Sequence, residues 1–168
     1  MHQVVNGLIA GLAATVPMSA VVAALHRQLP SHEQQPLPPR EVTVEMARRA
    51  GAEGAVDSES KREASTWLSH FGYGAATGTL YGGLAPRIPL GPVSGGVLWG
   101  LVVWAGSYLG WLPAAGIRPS SEKQPPRREA LMIAAHAVFG AATGLAYEAL
   151  ARRGRVRPAP GDMIGAGI

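Results

Sequence analysis

Four stretches of the chain are apolar over the length of a bilayer-crossing helix, and polar, proline-bearing connections separate them. Gly7 to Leu25 holds 19 residues without a charge, about what a hydrocarbon core requires. Leu90 to Leu112 runs 23 residues without a charge and contains Trp99, Trp104, Tyr108 and Trp111, the last two placed as interfacial anchors. Two further stretches, from about Ala64 to Ala85 and from Glu129 to Ala151, complete the set. The pattern predicts spans at about 5–27, 64–85, 90–112 and 129–151. Residues 1–151 then form one membrane domain with a polar loop at 28–63, and 152–168 form a basic, flexible tail. A cleaved leader is the rival reading of the first stretch, but no Lys or Arg precedes it and it is long for a leader's apolar core. Pro17 is compatible with a span when neighbouring helices satisfy the carbonyl it frees.

The second and fourth stretches are one sequence written twice. Lys61–Leu84 and Arg127–Leu150 share a register displaced by 66 positions, with 11 of 24 aligned residues identical. Counting from His70 and His136, the shared residues fall at +4, +7, +8 and +11, which lines one face of a helix. Each copy thus carries a polar stripe, His70, Thr77 and Tyr81 in one and His136, Thr143 and Tyr147 in the other. The glycines beside the stripes, Gly74 and Gly78, Gly140 and Gly144, are four apart and predict close helix packing. Gly7 and Gly11 of the first span have Gly96 and Gly100 as counterparts in the third. The expected fold is an all-α integral membrane four-helix bundle of two tandem hairpins, the halves related by an axis along the membrane normal. His70 and His136 would then sit at one depth, facing each other.

Two connections carry their own signals. Pro36, Pro38 and Pro39 predict an extended, polyproline-like segment, and Glu41 to Ala50 a short amphipathic helix stopped by Gly51. Val42, Met46 and Ala50 share a face of that helix, suited either to a membrane surface or to a solvated loop. Residues 54–60 read as flexible.

Composition sharpens this picture in three ways. There are 22 glycines in 168 residues, mostly within the apolar stretches, as in membrane helices. Cysteine is absent, which excludes disulfides, thiol catalysis and thiolate metal sites. The net charge of +4 is matched by the four arginines of the tail, so it points to anionic lipid headgroups and not to nucleic acid. Loops one and three hold ten of the 15 Lys and Arg, which favours their lying in the cytoplasm; the RRGRVR cluster after the fourth span argues the other way.

Several of these segments together resemble the YagU-like family of small, uncharacterised bacterial inner-membrane proteins. The likeness rests on GLIAGLAATVPMSA, on PLPPR followed by EVT, on the His70 block HFGYGAATGTLY, on SYLGWLPAAGI, and on the His136 block. It covers most of the chain to about Leu150. It implies a multi-pass helical protein of the bacterial inner membrane and carries over no catalytic residue.

An ionisable group within a membrane span is a candidate functional site. His70 and His136 could ligate a haem iron through both axial positions, with the following glycines leaving room for the porphyrin. They could relay protons, or they could join helices by hydrogen bonds to Thr or Tyr. Glu63 and Glu129 suit helix starts, and Glu148 pairs with Arg152 four residues on. No phosphate loop, nucleophile elbow, HExxH or dinucleotide fingerprint occurs. The residues therefore favour a non-enzymatic structural or stress-related membrane component without a cofactor, with lipids as partners and self-association through its small-residue faces. A conduit for protons, ions or small solutes along the two stripes and a bis-His haem module are the alternatives.

Overall fold

A computed structural model describes residues 2–34, 37–117 and 125–156, and all regular structure among them is helical. Helix α1 spans His2–His26, α2 Pro38–Arg49 and α3 Glu59–Leu84. Helix α4, Pro92–Ala105, continues through a widened turn at Gly106–Trp111 into the single-turn α5, Leu112–Ala114, and α6 covers Pro126–Val156. Three helical segments are long and apolar enough to cross a membrane: His2–His26, Pro92–Ala114 and Pro126–Gly154. α3, at 26 residues, is as long but carries more polar groups.

Several boundaries differ from the sequence expectation, each for a local reason. α2 begins at Pro38, so Pro38 and Pro39 are helical and not polyproline-like. Leu37 supplies the extended residue before them, and proline fits a first turn because its missing N–H would have no partner there. α2 stops where expected. Gly51, at φ 66°, lets Ala52 N–H reach Ala47 O at 2.8 Å and Gly51 N–H reach Arg48 O at 3.1 Å. Gly116, at φ 64°, ends α5 in the same way.

α3 starts at Glu59, ahead of the expected 64, because the Ser58 hydroxyl caps it by accepting from Lys61 N–H at 3.4 Å. The stretch read as flexible is tied down instead. Lys61 Nζ donates to Gly54 O at 2.9 Å, Arg62 Nε to Val56 O at 2.9 Å, and Ser65 to Ala55 O at 2.8 Å. α6 runs through Arg152 to Val156, into the stretch expected to be tail. Residues 157–168, where the rest of that expectation falls, lie outside the described residues.

The long helices lie in the order α3, α1, α6, α4, each packed along the next. Glycine makes the outer two contacts. A Cβ on Gly78 would sit 2.8 Å from Gly11 N, and one on Gly140 would sit 2.8 Å from Gly100 N, closer than real side chains come. The α1–α3 and α4–α6 backbones therefore touch directly. The contacts correct the sequence pairing by one helical turn. Gly11 meets Gly74 O and Gly78 Cα, while Gly96 meets Gly140 O and Gly144 Cα, so Gly96 is the counterpart of Gly11. Thr15, which fills the space at Gly74, then corresponds to Gly100, which lies on His136 O.

Candidate binding cleft between α3 and α4

The contact between α1 and α6 is apolar. Ala14, Met18 and Val22 of α1 bury Leu131, Met132, Ala135 and Phe139 of α6, with Tyr108 beside them. A two-fold relation between the halves would give α3 and α4 the same contact. It is missing: the two backbones stay apart, and in its place lies a cleft of about 800 Å³. The α3 residues aligned with Leu131, Ala135 and Phe139 are Ser65, Ser69 and Tyr73, and all three line the cleft. Exchanging Leu, Ala and Phe for Ser, Ser and Tyr removes much of the apolar area that would hold α3 to α4. The hydroxyl that distinguishes Tyr73 from Phe139 crosses the gap to Ser107 Oγ at 2.8 Å. Farther along the pair, Tyr81 meets Trp99 with ring centres 6.1 Å apart.

Most of the wall is apolar, with α1 and α6 at the back and α2 across one end. Val42, Met46 and Ala50 of α2 face the cleft, so the apolar face expected to meet a membrane surface or solvent covers this opening. Two attachments hold α2 there. Arg40 clasps both carboxylate oxygens of Glu59 at 2.6 Å and keeps that carboxyl below its usual range. Arg49 donates to the carbonyls of Ala115 and Gly116, where α5 ends.

His70 and His136 line the same cleft. His136 is buried, with 5% of its surface accessible. Its Nδ1 lies 2.8 Å from Met132 O and its ring meets Tyr108 edge-on at 5.7 Å. A carbonyl can only accept, so Nδ1 carries the hydrogen and Nε2 keeps a lone pair. His70, on α3, is half-buried.

Below the histidines the stripes part company with the cleft. Thr77 lines it, whereas Thr143 is wholly buried and donates to Phe139 O at 2.8 Å. Tyr81 and Tyr147 meet each other at 5.6 Å in a separate cluster with Ala10 and Trp99, and Tyr147 Oη donates to Gly82 O at 3.5 Å. The sequence reading passed over Tyr73, Ser107 and Tyr108 as wall residues. For Tyr73 the signal was present, a polar residue where the other copy has phenylalanine. Among the described residues, no three His, Cys, Asp or Glu side chains group to hold a metal ion.

Among the described residues the regular structure is helical and three helices are long and apolar enough to cross a bilayer, which is consistent with a membrane protein. The chain belongs to DUF6789, a family of unknown function, whose family model matches residues 1–157. No curated protein and no solved structure matches it.

Proposed function

We propose that this chain is a four-span inner-membrane protein whose two tandem hairpins leave one seam open as a binding cleft for an apolar small molecule. It acts by holding that molecule and not by transforming it. The observation that carries the reading is the polar replacement of one copy's packing face at the place where the helices separate. A cleft of about 800 Å³, mostly apolar with a few converging polar groups, has the size and character of a small-molecule site.

α3 serves as the fourth span in this reading. Its glycines pack against α1, and Leu80 and Leu84 are exposed, like Leu8 and Val16 of α1 and Leu98 and Val102 of α4. The YagU-like segments support the same membrane location. Binding is favoured over conduction because the Tyr ends of both stripes close into an aromatic cluster away from the cleft.

Gly72 lines the cleft with open space at its Cβ position, so Gly72→Trp should fill the cavity and leave the helix contacts alone. Native mass spectrometry of the detergent-purified protein is expected to find an adduct of lipid-like mass. That adduct should drop at least tenfold in Gly72→Trp while the melting temperature holds. Equal adduct in both proteins, or none in either, would contradict the proposal.

A further inference from the structure

Hydrogen-bond accounting on the inner wall says what kind of molecule fits, given that the cleft is a binding site. Thr15 Oγ1 donates to Gly11 O at 2.9 Å, Thr77 Oγ1 to Tyr73 O at 2.9 Å and Ser107 Oγ to Val103 O at 2.7 Å. Because the Ser107 hydrogen is committed, Tyr73 Oη is the donor of their 2.8 Å bond. Each of these hydroxyls has therefore given its hydrogen to the protein. Thr43 and Ser65 likewise donate to Pro39 O and Ala55 O, and Ser69 is exposed, so the imidazoles are the groups on the wall that burial leaves in need of a partner.

His136 gives its hydrogen to Met132 O and so offers a lone pair at Nε2 and nothing to donate. Among the described residues a neutral His70 has no hydrogen bond to another protein group, and it offers one N–H and one lone pair. The complement is a group that both donates and accepts. A carboxylate would set its charge against the His136 lone pair, an ester or ketone brings no hydrogen for it, and a hydrocarbon leaves both rings without a partner. A hydroxyl meets both needs.

We propose that the cleft binds an apolar molecule headed by a hydroxyl group, whose oxygen accepts from the His70 ring and whose hydrogen goes to Nε2 of His136. The class comprises long-chain or polycyclic alcohols and diacyl glycerols, seated with the hydroxyl between the histidines and the hydrocarbon toward the apolar wall.

The test uses the full-length protein in detergent and two probes, a long-chain primary alcohol brominated at its far end and the methyl ether of the same compound. Bromine quenches tryptophan, and Trp111 stands on the cleft wall. The alcohol should bind about tenfold more tightly than the ether, the worth of one satisfied hydrogen bond to a buried group. In His136→Phe the two should bind alike, at the ether's affinity. Should that variant fail to fold, the half-exposed His70→Phe serves instead: both probes accept from His70, so both should bind more weakly, while the alcohol keeps its preference through Nε2 of His136. Saturable binding with no preference for the alcohol in the natural protein, a preference that survives in His136→Phe, or affinities for both probes unchanged in His70→Phe overturns the ligand class and leaves the binding cleft standing. If neither probe quenches saturably, the binding reading itself fails.

Discussion

Gly140→Ala should undo the α4–α6 pair. The added carbon would overlap Gly96 O and lie 2.8 Å from Gly100 N, and neither is a side chain that can turn away. Overpacking that side chains can absorb is destabilising by about 1–3 kcal/mol, so a clash against backbone should exceed about 3 kcal/mol. The comparison is Gly83→Ala in α3, where nothing lies within 4 Å of the new carbon. There the helix should gain about 0.5–1 kcal/mol from the better helix former. Thermal unfolding in detergent reads both. Similar melting temperatures for the two variants would mean that the glycine edges are not what joins the helices.

The second large effect is expected at Arg128. Its side chain is buried at 7% exposure, and Nη1 donates to Glu33 O at 3.0 Å, tying the turn before α2 to the start of α6. Arg128→Met keeps the apolar stem and removes the guanidinium. The loss should be about 1.5–3 kcal/mol, the usual range for a hydrogen bond to a charged group. Amide exchange should quicken at Ser31–Glu33 and in the first turn of α6, and stay as it was at Tyr81 and Tyr147. Unchanged exchange at the turn would show that the bond is dispensable.

Arg128 also shows what the sequence reading could and could not see. Its aligned partner Arg62 likewise reaches back to a carbonyl, Val56 O, in the connection before its own helix. The duplicated Arg-Glu pair was visible in the repeat, but its use was not, because the acceptors belong to segments with no pattern of their own. The glycine edges were legible for a physical reason: four-residue spacing on a helix implies one face, and glycine on that face implies contact. Spacing does not name the neighbour, which is why Gly96 was paired with Gly7 and not with Gly11.

The open seam lies at the same limit. Identity between the copies argued for two equal halves, whereas the cleft is written in the positions that differ, Ser65, Ser69 and Tyr73 against Leu131, Ala135 and Phe139. Identical residues carry the shared packing, and the exchanged ones mark where packing is withheld. The face of α2 was seen correctly as apolar, but what it covers depends on that withheld contact.

The central claim is that α3 and α4 stand apart in the folded protein, and the absence of cysteine makes it directly measurable. Tyr73→Cys with Ser107→Cys places the only two thiols on either side of the gap that the tyrosine ring now spans. A disulfide needs Cβ atoms about 4 Å apart. In membranes the pair should resist mild oxidation yet cross-link readily with a bifunctional thiol reagent as long as a tyrosine side chain. Prompt disulfide formation would show the helices in contact and the cleft closed, contradicting the account.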